Sequence, residues 1–152
     1  MQRYVVLNLN RKEDAVFFGD KFLKDHVNWE KEIKQKEAEL ESILELSAIS
    51  SSEVHTGNIS DQTPKIAMEK IRVETSIDRL NTYMEVMNYA LSHMSEEHRR
   101  VLEAFYFTKG KLVSALVHEL ADEFQCSERS VYNQKREAIL EFVHHIRVFV
   151  DF

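Results

Sequence analysis

The sequence predicts an all-α chain, and three observations carry the prediction. Its 152 residues include 3 Gly and 1 Pro, too few to punctuate a sandwich or barrel of many short strands. Apolar residues recur at helical spacing over long stretches, most regularly between Pro64 and His93. The last third then divides into short segments with helix start and stop signals. The expected architecture is an N-terminal helical, coiled-coil-like region followed by a C-terminal helix-turn-helix. Its parts are a helical region over 1–46, a flexible linker over 47–63, a heptad helix over 64–93 and a DNA-binding domain over 94–152.

With 43% hydrophobic and 30% charged residues, the chain is neither disordered nor a membrane protein. No run approaches the roughly 18 apolar residues of a membrane span. The apolar stretch Tyr4–Leu7 is too short for a secretory signal, so the expected location is cytoplasmic. It could be a short strand or the lead-in to a helix, and periodicity does not choose between them. One cysteine excludes an internal disulfide and, taken alone, a structural zinc site. The 20 basic and 26 acidic residues give a net charge of −6, which excludes holding nucleic acid by bulk positive charge. Neither part compensates, since residues 1–94 hold 12 basic and 16 acidic residues and 95–152 hold 8 and 10.

Asp14–His26 reads as a short helix carrying Phe17, Phe18, Phe22 and Leu23, with Gly19 weakening it. Trp29–Leu46 is dense in Glu and Lys. Trp29, Ile33, Leu40, Ile43 and Leu44 form a narrow stripe that Lys36 interrupts. Ser47–Thr63 lacks periodicity and reads as a linker of 17 residues, after which Pro64 suits the first turn of a new helix. Ile66, Val73, Leu80, Met87 and Met94 then lie seven apart. Ile77, Met84 and Leu91 fill the intermediate row, which Lys70 breaks. Such a helix either pairs with a second copy, giving a homodimer through 64–93, or packs antiparallel on the Trp29–Leu46 helix of its own chain.

Ser95-Glu96-Glu97 opens the next helix with a hydroxyl cap and two acids near the positive end of the dipole. Val101, Leu102, Phe105 and Tyr106 form its apolar face, and Thr108–Lys111 ends it around Gly110. Leu112–Phe124 follows, burying Leu112 or Val113, then Leu116, Leu120 and Phe124, with Ala121 as the small residue. Gln125-Cys126 is a short turn and Ser127 an N-cap. The last helix, Glu128 to about Val148, buries Val131, Ala138, Phe142 and Ile146.

The last helices, two of them joined by a very short turn, have the spacing of a helix-turn-helix. At about 100° per residue, the buried side of the last helix leaves Arg129, Asn133 and Arg136 opposite, flanked by Ser130 and Tyr132. Arginine suits guanine edges and asparagine suits adenine. Ser130, Tyr132, Lys135, Lys109 and Lys111 are placed to reach phosphates. The partner this face implies is double-stranded DNA; the alternative is an interaction protein whose helical arm binds RNA polymerase or another host factor.

SEEHRRVLEAFYF and LADEFQCSERSVYNQKREAILEF resemble region 4 of sigma-70-type factors: Leu120-Ala121, Ser127, Ser130-Val131 and Ala138-Ile139 fall in that motif's order. The whole layout resembles small phage transcription regulators of the RinA/ArpU type. The resemblance implies activation of phage or prophage late genes in a bacterial host, with Arg129, Tyr132, Asn133 and Arg136 in the recognition helix. It departs from the motif in five extra residues between Tyr106 and Ala121, in Gln125 at a common glycine position, and in Glu128 where a base is frequent. The first 28 residues find no counterpart.

Cys126 reads as a core residue of the turn. His118-Glu119 lacks the second histidine of a zinc-protease helix, and the adjacent His144 and His145 point about 100° apart. No catalytic residue, metal or cofactor is expected, and the chain is not read as an enzyme. The apolar tail Val148–Phe152 has either the core or a partner to dock on.

Overall fold

The computed structural model describes residues 9–52 and 59–149, with backbone only at 50–52 and 59–63. Tyr4–Leu7, the middle of the expected linker and the last three residues of the apolar tail lie outside these. Among the described residues every regular element is helical. The order is α1 (Lys12–Ser52), α2 (Ile59–His93), α3 (Glu96–Tyr106), α4 (Val113–Phe124) and α5 (Glu128–Ile146). No described helix is long and apolar enough to cross a membrane.

The two short helices expected before residue 47 are one, α1, because nothing between His26 and Trp29 breaks a helix. The expected linker is also shortened, with α1 running on to Ser52 and α2 starting at Ile59. Serines are indifferent helix formers, but extending an existing helix adds a hydrogen bond for each residue fixed. Pro64 therefore stands inside α2 and not in its first turn.

The chain divides into two compact units, residues 26–85 and a second comprising 9–25 with 86–149. In the first, the ring of buried Trp29 on α1 lies 5.7 Å from that of Tyr83 on α2. A contact between the start of one segment and the end of the other makes them antiparallel. Val73 and Leu80 are buried, while Ile33, Leu40, Ile43, Ile66, Ile77 and Met84 are half-buried. Lys36 is half-buried too, so the α1 stripe continues through it. A lysine stem can cover apolar surface while its ammonium stays in water. Lys70, by contrast, is exposed and turned toward Glu74. Val73 and Leu80 of the heptad row are thus covered within one chain.

In the second unit, α3, α4 and α5 enclose Val101, Leu102, Leu116, Val117, Leu120, Val131 and Phe142. Each such side chain contributes about 1.5–3 kcal/mol by leaving water. The N-terminal part of α1 adds Ala15, Leu23 and Phe22, whose ring is 5.9 Å from that of Phe142. Gly19 is buried where α1 packs against α5. A Cβ at 19 would stand 2.6 Å from Cγ2 of Ile139 and 2.8 Å from Cγ2 of Val143. The residue that weakens the helix expectation is the one that permits this packing. It also explains why α5 buries Ile139 and Val143 beside the expected Val131, Ala138, Phe142 and Ile146. α5 has a second neighbour that its own periodicity does not announce.

α4 corrects another expectation, since Leu112 is 77% exposed and Val113 is exposed as well. Leu112 is the N-cap, with extended backbone, and so lies off the periodic face of the helix. Val117 is buried in addition to Leu116 and Leu120. At the C-terminal end, Phe149 sets its ring edge-on to Tyr89 at 4.9 Å.

Candidate nucleic-acid interface

The segment that presents α5 is a three-residue turn. α4 ends with Gln125 in the left-handed region (φ 52, ψ 49). The Cys126 N–H donates to the Ala121 carbonyl at 3.0 Å and the Gln125 N–H to that of Asp122 at 3.3 Å. This paired closure is how a helix satisfies its last carbonyls before a sharp change of direction. Glycine is common at such a position because an L side chain costs about 1–2 kcal/mol there. Cys126 packs against the cluster of Ala104, Val117, Leu120, Ala121 and Val131. Ser127 then caps α5, its Oγ accepting the Ser130 N–H at 3.1 Å. The Ser130 hydroxyl lies 3.0 Å from that of Ser127, so it serves the cap as well as the surface.

Beyond this cap the side chains divide by face. Arg129, Tyr132, Asn133 and Arg136 are exposed, opposite buried Val131, Ala138 and Phe142. Arg129 and Arg136 are two turns apart, about 10 Å along the axis. Among the described residues the side chains of Arg129, Asn133, Arg136 and Lys109 make no hydrogen bond or ion pair. Other basic side chains of this unit are committed. Arg100 pairs with Glu123 at 3.2 Å, Lys24 with Asp20 at 2.9 Å, and Arg147 donates to Asn10 at 2.6 Å.

Two of the expected phosphate contacts are also engaged. Lys111 pairs with Glu119 at 3.0 Å. Lys135 turns from the outer face, placing its Nζ 4.6 Å from the centre of the Phe105 ring and 5.5 Å from that of Tyr106. Burial lowers its affinity for a proton; Asp20 opposes this and Lys24 adds to it. Its position four residues after Val131 explains the turn inward, since i and i+4 share a helix face. Lys109 stands exposed in the α3–α4 connection, beside Gly110 at φ 81.

Two polar clusters hold the unit together, and neither is legible from local sequence. The Tyr106 hydroxyl donates to Asp20, 86 positions away. Burial raises the Asp20 carboxyl, but hydrogen bonds from Tyr106 and Lys24 and the charges of Lys24 and Lys135 outweigh it and hold it below its ordinary value. Burial and the same carboxylate push the Tyr106 phenol well upward. In the other cluster, Glu141 of α5 accepts from the Ser95 N–H at 2.9 Å, from Ser95 Oγ at 3.3 Å and from His98. These bonds and the nearby imidazole outweigh burial and lower the Glu141 carboxyl. Ser95 is therefore an N-cap whose hydroxyl makes no cap bond and ties α3 to α5 instead.

α5 offers two guanidiniums, a carboxamide and a phenol to an external acceptor, on a helix whose other side is locked into a core, and the α3–α4 connection adds the exposed ammonium of Lys109. Searches of protein-family models, curated proteins and solved structures find no match to this chain.

Proposed function

We propose that this chain is a sequence-specific DNA-binding transcription regulator whose α4–turn–α5 unit is a helix-turn-helix of the sigma region 4 type. The observation that carries the reading is the exposed row of Arg129, Asn133 and Arg136, free of partners among the described residues and backed by a buried apolar face. α5 enters the major groove, where arginine and asparagine reach guanine and adenine edges in bidentate fashion. Tyr132 and Lys109 lie toward the phosphates, with Ser130 near the helix start. Lys135 and Lys111 contribute less, being engaged within the protein. By the sequence resemblance, the regulated genes are late genes of a phage or prophage in a bacterial cytoplasm, and the regulator is an activator. No catalytic residue, metal or cofactor enters this reading.

A second reading is an adaptor that binds RNA polymerase or another host protein. It is favoured by the charge count, because residues 95–152 hold 8 basic and 10 acidic residues and give weak general attraction to DNA. The test is selection of bound sites from random duplexes, followed by gel shifts on the selected site. Arg129→Ala and Asn133→Ala should each cost about 1–3 kcal/mol and relax base preference locally. Unchanged affinity and preference in both variants remove α5 as the reader. Polymerase binding without any duplex preference establishes the adaptor.

A further inference from the structure

Residues 26–85 hold 7 basic and 12 acidic residues, a net of −5, so nearly all of the chain's negative excess belongs to the antiparallel hairpin. On α1, Glu37, Glu41, Leu44 and Glu45 lie within about 100° of one another, beside the stripe of Trp29, Ile33, Leu40 and Ile43. All four are exposed, Leu44 at 46%. None of the three carboxylates has a hydrogen bond or ion pair among the described residues. The face runs about 12 Å along the helix.

Charge decides what can cover this apolar and acidic face. Phosphates are repelled by it, and so is the same face of a second hairpin. Within this chain, the α5 face is the one place among the described residues where two unpartnered guanidiniums flank an exposed aromatic ring. Arg129 and Arg136 stand on either side of Tyr132, which is 50% exposed. The two faces are opposite in sign and similar in length, and each carries one apolar side chain. We infer that the Glu37–Glu45 face of one copy docks on the Arg129–Arg136 face of a second copy. Two such contacts, formed reciprocally, would join two copies as a dimer. The contact competes with duplex DNA for α5, so association holds the regulator in a DNA-free form. The competition rests on the proposed DNA reading, whereas the self-contact does not.

The test is sedimentation velocity of the full chain at low salt and at roughly 0.2 M salt, where charge-driven contacts weaken. A dimer at low salt that dissociates in higher salt is expected. A triple variant Glu37→Lys/Glu41→Lys/Glu45→Lys should raise the dimer Kd by at least about tenfold, because like charges then meet. Arg129→Glu/Arg136→Glu should do the same, and mixing the two variants should restore association. That rescue separates a lost contact from a lost fold. The triple Glu→Gln variant, which adds no cation, should bind the selected duplex several-fold more tightly at equal chain concentration.

A chain that stays monomeric at low salt overturns the inference, as does a dimer indifferent to both charge reversals. If the dimer behaves as expected but no duplex binds, the self-contact stands and the DNA reading falls. If a duplex binds a strictly monomeric chain, the reverse holds.

Discussion

Gly19→Ala probes a close helix approach in the second unit. The added Cβ would lie 2.6 and 2.8 Å from the Cγ2 atoms of Ile139 and Val143, both only 2% exposed. Neither methyl can swing away, because each belongs to a β-branched side chain with restricted rotamers. Relief requires separating α1 from α5, and overpacking of this kind costs about 1–3 kcal/mol. Against it stands the helix propensity of alanine over glycine, about 1 kcal/mol in favour of the variant. The expected net effect is a loss of about 1 kcal/mol, read in urea unfolding by far-UV circular dichroism with unchanged m value. Val143→Ala removes one of the two obstructing methyls. The loss from Gly19→Ala should shrink in that background, with a coupling of at least about 0.5 kcal/mol. A Gly19→Ala protein about 1 kcal/mol more stable than the parent would refute the reasoning, since only propensity would then be at work.

Gln125→Gly should raise stability by about 0.5–1 kcal/mol, measured as a higher urea midpoint, by relieving an L side chain at φ 52. Arg136→Ala should reduce the slope of log affinity against log salt on the selected duplex, or its base preference, whereas Lys135→Ala should change both less and lower stability. The Glu141 carboxyl ionises below its ordinary value of 4.5 in the folded chain. Its contribution is therefore fully present above about pH 4.5 and is lost as pH falls through the depressed folded value. Acid unfolding curves of the parent and Glu141→Gln should converge below that range and diverge above it. Parallel curves would exclude this carboxyl as the acid-sensitive link.

Much of the helical plan was legible because it depends on neighbours in the chain. Ser127 as a cap, the turn before it and the opposition of Val131 to Arg129 follow from spacing alone, and the structure shows them. Lys36 and Leu112 depart from the periodic expectation for local reasons, a stem half-buried in line with the stripe and an N-cap that precedes the periodic face. The extent of α1 was missed because a serine run weakens a helix without ending it.

By itself the sequence determined the helical class, the heptad row, the α4–α5 turn and the outward row of Arg129, Asn133 and Arg136, since helical periodicity and caps are short-range. Tertiary structure decided what those faces meet. It put Tyr83 of α2 against Trp29 of α1, Gly19 against α5, Tyr106 on Asp20, and Lys135 over aromatic rings. Contacts between residues some 30 to 120 positions apart leave no periodic trace in either segment. They are settled only when packed helices bring the side chains together.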